Sequence, residues 1–323
     1  MSRPHWHPEA RYSTVVKGTW WAGTGDMTIT IRALRPNFAG EVSGIDLRAP
    51  ISREDVADID AGMDRYAVLV FRDQAITDEQ QMSFTRNFGP IEGAQGGNIT
   101  KHDEYRLQEG MIDVSNLDKR GQPLERNDRR RMFNLGNRLW HSDSSYRAIP
   151  AKYSLLSARV VAASGGNTEF ADMRAAYDAL DDDMRTTIED LVCEHSLLYS
   201  RGSMGFTVLT EAERALFKPV RQRLVRTHPL TKRKSLYLSS HIGAIVGWQI
   251  PEARDLIRDL TEHATQREFV YAHVWRQYDF VIWDNRQTMH RVRRFDESKP
   301  RDMRRTTVAG DAMTAEQAPA EVH

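Results

Sequence analysis

Short apolar runs, four to nine residues long and broken by polar or glycine-rich stretches, constrain this chain more than any other feature. Residues 28–34 alternate as a half-buried strand should, and 40–44 read as a short partner. Residues 67–71 are continuously apolar, as expected of a buried strand, and 279–283 read as a further strand. Further strands are expected at 153–161, 168–171, 235–239, 268–275 and 305–309. Helical signals are fewer. Ser52 with Asp55 and Thr77 with Gln80 have capping-box spacing, the first ahead of Val56, Ile59 and Met63 and the second ahead of Met82, Phe84 and Phe88. An acidic helical region is expected at 172–191, and Pro251 opens a helix whose stripe is Ala253, Leu256, Ile257, Leu260 and Ala264. With no repeat, no strand–helix alternation and no glycine-rich phosphate loop, the reading is a mainly β fold with decorating helices, a sandwich or barrel.

Composition removes several functions. Lys plus Arg and Asp plus Glu both number 45 in 323 residues, which argues against nucleic acid as a partner. Positive charge is local, at 129–131 and 301–305. The single cysteine, Cys193, excludes an intrachain disulfide and a cysteine-rich metal site. No apolar stretch is long enough for a membrane, and residues 1–10 lack an apolar signal core, so a cytoplasmic protein is expected. Residues 1–27 read as an N-terminal extension containing Trp6, Trp20 and Trp21, in which the pair His5 and His7 is incidental. A single catalytic domain is expected over 28–312, with 313–323 a frayed tail. Within it, 90–136 is long, polar and aperiodic and reads as a lid; 197–235 reads as irregular and basic.

Among eleven histidines, His141-Ser-Asp143 is the sole His-x-Asp. Two residues apart on extended backbone, the imidazole and carboxylate point to one side and can be adjacent ligands of one ion. His290, beyond the turn 284–287, is the candidate third ligand. Two histidines and a carboxylate on one face are the donor set of non-haem Fe(II) oxygenases. The plainer alternative is a strand edge where Asp143 caps a turn. Arg301 and Arg305 downstream make an anion-binding pocket coherent, because guanidinium groups hold carboxylates bidentately and stay charged.

Blocks along nearly the whole chain then resemble one family. They are Val68-Leu-Val-Phe-Arg72, Arg86-Asn-Phe-Gly-Pro90, Leu139-Trp-His-Ser-Asp-Ser-Ser145, Ser164-Gly-Gly-Asn-Thr-Glu-Phe170, Asp172-Met-Arg-Ala-Ala-Tyr-Asp-Ala-Leu180, His263-Ala-Thr-Gln-Arg-Glu-Phe-Val-Tyr271 and Trp283-Asp-Asn-Arg286, completed by His290 and 301–305. The chain resembles the Fe(II)/2-oxoglutarate-dependent taurine and 2,4-dichlorophenoxyacetate dioxygenases, most closely the aryloxyacetate branch. The resemblance implies a double-stranded β-helix (jelly roll). It implies Fe(II) held by His141, Asp143 and His290, with 2-oxoglutarate as cosubstrate, O2, and ascorbate supportive in vitro. Thr168 and Arg301 would hold the distal carboxylate of 2-oxoglutarate. Arg305 would bind the acidic group of the substrate, and Asn137 would line its pocket. Lys101 stands one position later than the lysine of the branch and either reaches the substrate carboxylate or is solvated. Trp140, Tyr146 and Trp283 are pocket walls or ordinary core.

The implied reaction hydroxylates an aryloxyalkanoate between ether oxygen and carboxylate, giving a phenol and glyoxylate with succinate and CO2. A small anionic substrate and a homo-oligomer are the implied partners. Alternatives are the same chemistry on a sulfonate, alkyl sulfate or other carboxylate, a non-catalytic jelly-roll binding protein, or a zinc hydrolase. Zinc usually leaves a single open position, and no hydrolytic base is evident.

Overall fold

The computed structural model describes residues 28–93 and 99–318. The N-terminal extension, with its tryptophans and the pair His5 and His7, lies outside the described residues. Strands β1 (Thr30–Arg35) and β2 (Phe38–Ser43) form a hairpin. Helix α1 (Arg53–Tyr66) leads to β3 (Val68–Phe71), and α2 (Asp78–Arg86) follows. Both helices begin with complete capping boxes, Ser52 with Asp55 and Thr77 with Gln80. Helix α1 ends on Ala67, whose left-handed φ of 57° lets its N–H reach the Met63 carbonyl. The continuous apolar run therefore becomes strand only from Val68.

A long connection then holds β4 (Ile112–Asp113), α3 (Arg129–Asn134) and a 3-10 turn at Leu135–Arg138. Next come β5 (Tyr153–Val160), β6 (Thr168–Asp172), α4 (Met173–Asp178), α5 (Asp182–Ile188) and β7 (Val192–His195). Helices α6 (Leu197–Ser203) and α7 (Glu211–Leu216) precede β8 (Val220–Arg223), β9 (Val225–Thr227), β10 (Lys234–Leu236) and β11 (Ile242–Ile245). Helix α8 (Ile250–Ala264) leads to β12 (Val270–His273), β13 (Phe280–Asp284), β14 (Thr288–Val292) and β15 (Asp302–Thr307).

The strands fall into a seven-stranded sheet, ordered β1-β2-β3-β13-β5-β15-β4, and a three-stranded sheet, β12-β6-β14, with two smaller sheets beside them. All neighbours in the seven-stranded sheet are antiparallel except β2 and β3. Alternation along β3 and β13 explains why Val68–Phe71 and residues 280–283 have no polar positions. Leu69, Phe71, Phe280 and Ile282 pack with Ile59 and Met63 of α1 and Phe84 of α2. Val68, Val70, Val281 and Trp283 point to the other face and pack with Phe170 of the smaller sheet. One sheet is thus sandwiched between two helices and a second sheet, a mostly β architecture with helical decoration.

Three sequence expectations need correction. Residues 197–235 are not irregular: α6 starts at the Ser196 cap, and α7 has a capping box of Thr210 with Glu213. Helix α7 buries none of its residues, so it carries no apolar stripe to betray it. The acidic region 172–191 is two helices, because Asp181 caps a fresh start after α4 ends. The tail is held as far as it is described: Gln317 exchanges hydrogen bonds with the Arg221 backbone, and the Arg223 N–H donates to Thr314.

Candidate active site

His141 and His290 face each other across an isolated antiparallel bridge, each N–H donating to the other carbonyl at 3.0 and 2.8 Å. Opposed residues in such a pair project to the same side, and the two rings stand 4.2 Å apart between centroids. The expected strand at 141–143 is only this one bridge. The chain then turns, with Ser144 at a left-handed φ of 55° held by its hydroxyl bond to buried Glu92 at 2.6 Å. The Asp143 carboxylate lies beside both rings, 3.8 Å from His141 Nε2 and 3.6 Å from His290 Nε2. One donor atom from each of the three residues lies within 4.8 Å of the others, and all three residues are buried.

Protonation states suit a cation. His141 Nδ1 faces the Leu139 carbonyl at 2.8 Å, so the proton belongs there and the Nε2 lone pair is free. Burial pushes the His141 imidazole down, and burial with neighbouring His141 pushes His290 down to about 3. Burial pushes the Asp143 carboxyl up, but Arg305 and the two histidines outweigh it and hold it well below the ordinary range. Two neutral imidazoles and one carboxylate fit a divalent metal. A support chain fixes the carboxylate: Ser154 Oγ donates to Asp143 Oδ2 at 2.8 Å, and Asn285 Nδ2 donates to Ser154 at 2.9 Å. Asn285 Oδ1 accepts from Trp283 Nε1 at 3.0 Å.

Two cavities meet at this cluster. The first is lined by His290, Thr168, Arg301, Trp283 and Phe295; the second by Asp143, Arg201, Tyr146 and His241; both also by Asn137, His141 and Arg305. In the first, Thr168 accepts from Trp275 Nε1 at 2.9 Å, leaving its own O–H to donate. Arg301 is buried; one of its nitrogens reaches the Val114 carbonyl at 3.3 Å, and its guanidinium lies 5.1 Å from the Phe295 ring centre. Burial pushes it down to about 10. Arg305, on β15, donates through one terminal nitrogen to Asp143, while its Nε finds no partner among the described residues.

The structure therefore brings together His141, Asp143, His290, Thr168, Arg301, Arg305 and Asn137. It does not bring in Lys101, whose exposed side chain lines neither cavity although its neighbours Thr100 and Glu104 line the second. Of the three aromatic candidates, Trp283 lines the first cavity and Tyr146 the second, whereas Trp140 lines neither of these two and packs on the core beside Arg291. Arg201, His241, Trp275 and Ser154 were missed, because each is contributed by a segment that carries no local metal or anion motif.

Residues 30–307 match the family model described as taurine catabolism dioxygenase TauD, TfdA family. The chain belongs to this family. It is 45% identical over 287 residues to the alpha-ketoglutarate-dependent 2,4-dichlorophenoxyacetate dioxygenase of Cupriavidus pinatubonensis, covering 89% of this chain and 100% of that relative. It is 37% identical over 289 residues to the (S)-phenoxypropionate/alpha-ketoglutarate-dioxygenase of Sphingobium herbicidovorans, covering 87% of this chain and 95% of the relative. The solved structure of AAD-2 in complex with Mn(II) and N-oxalylglycine superimposes with a TM-score of 0.88 at 65% identity, covering 90% of this chain and 100% of that one. The TauD/TfdA chain described here is an oxidoreductase, a dioxygenase dependent on Fe(II) and 2-oxoglutarate. None of its described helices is long and apolar enough to cross a membrane.

Proposed function

We propose that this dioxygenase hydroxylates an aryloxyalkanoate such as 2,4-dichlorophenoxyacetate at the carbon between ether oxygen and carboxylate. The observation that carries this reading is a pair of cavities meeting at one His-Asp-His cluster, each with a buried arginine on its wall. Relatives 45% and 37% identical, named for 2,4-dichlorophenoxyacetate and (S)-phenoxypropionate, support the substrate class.

In this reading His141, Asp143 and His290 hold the Fe(II). The metal supplies oxidation of a C–H bond by O2, coupled to decarboxylation of 2-oxoglutarate to succinate and CO2. Arg301 and the Thr168 hydroxyl take the distal carboxylate of 2-oxoglutarate, the first as an ion pair and the second as a hydrogen bond from a neutral donor to the charged oxygen. Arg305 takes the acidic group of the organic substrate, so that one C–H faces the metal, and Asn137 borders both cavities. Leu139 sets the tautomer of His141, and Ser154 orients Asp143. The hydroxylated product is a hemiacetal, which breaks its C–O bond to release a phenol and glyoxylate. The two facing sheets form the proposed jelly roll of a single domain over 28–312. Residues 90–136 form its lid, a reading supported by Val114, Ser115, Leu124 and Asn134 on the cavity walls.

The test is O2 uptake and succinate formation with Fe(II), ascorbate and 2-oxoglutarate across phenoxyacetate, the phenoxypropionates, cinnamates and taurine. Coupled turnover is expected with the aryloxy acids and release of a phenol from phenoxyacetate. Turnover of taurine alone would overturn the substrate class while leaving the iron chemistry in place.

A further inference from the structure

Among the described residues four arginines are buried: Arg174, Arg201, Arg286 and Arg301. Two are held by carboxylates. Arg174 donates to both oxygens of Asp172 at 2.8 and 2.9 Å, and Arg286 to both oxygens of Asp284 at 2.9 and 2.7 Å. These are structural ion pairs, each formed within its own segment, and Arg174 also donates to the Asn37, Asp64 and Arg65 carbonyls. The other two, Arg301 and Arg201, form no ion pair among the described residues. A buried guanidinium without an anion is costly and needs a reason. For Arg301 the reason proposed above is 2-oxoglutarate.

Arg201 has the same signature in the other cavity. It lines that cavity beside Arg305, His241 and Tyr146. Its Nε has no hydrogen-bond partner among the described residues, and one terminal nitrogen donates to Ser200 Oγ at 3.2 Å. That hydroxyl lies 2.8 Å from His241 Nδ1. The Ser200 hydroxyl donates to the Leu197 carbonyl at 3.2 Å, and burial with the nearby Arg201 charge pushes the His241 imidazole down, so neither neighbour supplies Arg201 with an anion. The seat is shaped for the guanidinium: a Cβ at Gly136 would come within 2.3 Å of its Cζ, and the Phe133 ring centre is 4.4 Å away. A ring face attracts a guanidinium more weakly than the loss of hydration costs it, so stacking does not account for the burial.

We propose that Arg201 is a second anion anchor, which with Arg305 holds the carboxylate of the organic acid in the substrate chamber. The inference rests on the aryloxyalkanoate reading above and names how that acid is recognised. Arg305 already spends one terminal nitrogen on Asp143. A carboxylate has two oxygens to share between two guanidiniums, and it is the only formal charge on a halogenated aryloxyacetate.

The test compares wild type, Arg201→Gln, Arg201→Lys and Gly136→Ala as Fe(II) holoenzymes. Each is assayed for turnover of 2,4-dichlorophenoxyacetate and its neutral amide, and for binding of the acid by anaerobic calorimetry with 2-oxoglutarate present. Losing one charge-assisted contact raises KM and Kd for the acid about 30-fold in Arg201→Gln, with KM for 2-oxoglutarate changed less than about twofold. The amide is unaffected, so the preference for acid over amide falls by the same factor. Arg201→Lys recovers part of it, and Gly136→Ala, which displaces the guanidinium but keeps its charge, lies between. Equal losses for acid and amide, no change for either, or a selective rise in KM for 2-oxoglutarate would overturn the proposal. A wild-type enzyme inert to every aryloxy acid overturns the substrate reading instead. The preference of Arg201→Gln for acid over amide, measured with whichever organic acid supports turnover, then decides the role of Arg201.

Discussion

Replacing Arg301 with methionine should stabilise the protein alone and destabilise it relative to wild type once 2-oxoglutarate is added. Burial pushes the Arg301 guanidinium from 12.5 down to about 10, with no ion pair among the described residues to oppose it. At about 1.4 kcal/mol per pKa unit, the difference is roughly 3 kcal/mol of unrelieved charge burial. Below pH 10 the side chain is protonated in both the folded and the unfolded chain. The cost is therefore present in full across the working range and is relieved only above it. Methionine keeps much of the volume but gives up the contacts with Val114 and Phe295, worth about 1–2 kcal/mol together. A net gain of about 1–2 kcal/mol corresponds to a Tm higher by about 2–4 °C in a chain of this size.

Ligand reverses the order. At 2-oxoglutarate a hundredfold above its Kd, with Mn(II) in place of Fe(II), wild type gains about 2.7 kcal/mol. Losing a carboxylate–guanidinium contact of about 3 kcal/mol weakens binding roughly a hundredfold, so the variant at the same concentration gains only about 0.4 kcal/mol. Scanning calorimetry on the two proteins, with and without 2-oxoglutarate, reads all four values. A variant that melts below wild type without ligand would refute the claim that Arg301 is an uncompensated charge. Equal ligand-induced shifts would refute its assignment to 2-oxoglutarate.

Other consequences are quickly checked. Asp143→Ala should abolish 2-oxoglutarate consumption and metal retention, read by elemental analysis, while circular dichroism stays that of wild type; retained turnover would remove Asp143 from the metal site. Ser154→Ala deletes the hydroxyl that orients Asp143 at 2.8 Å and should weaken Mn(II) binding about 10- to 100-fold, as measured by calorimetric titration. Trp283→Ala removes a fully buried side chain between the sheets and should cost about 3–5 kcal/mol in denaturant unfolding. Burial pushes the Cys193 thiol up to about 12, so the native protein should resist Ellman's reagent at pH 8 and react only when unfolded.

Strand identity was legible where the run itself carried the packing. Val68–Phe71 and Phe280–Asp284 have an apolar residue at nearly every position because one face meets helices and the other a second sheet. Capping boxes marked α1 and α2 because their signal lies within four residues. Sheet membership was not legible: β12 and β13 are consecutive in sequence, yet they join different sheets, a choice made by partners far along the chain. The site divides in the same way. His141 and Asp143 announce themselves by spacing, and Arg301 and Arg305 by their place in a family pattern. Arg201 cannot be singled out in a basic stretch, because what distinguishes it is the missing carboxylate, a property of the folded surroundings.

The position of the metal cluster follows from how the two sheets are joined. His290 belongs to β14 of the smaller sheet, and His141 bridges to it by backbone hydrogen bonds. Asp143 is anchored instead to the larger sheet, through Ser154 on β5 and Arg305 on β15. The three donors therefore converge only if the sheets keep their separation, and the residues that set it are Phe170 and Trp283, whose rings meet at 5.5 Å. Trp283 also contacts His290 at 4.8 Å and donates to Asn285 in the chain behind Asp143. A Trp283→Phe substitution keeps most of the packing but removes that N–H. It should leave Tm within about 1–2 °C per lost hydrogen bond while loosening metal affinity. Equal metal affinity in the two proteins would mean that spacing alone, and not the Trp283–Asn285–Ser154 chain, sets the geometry of the site.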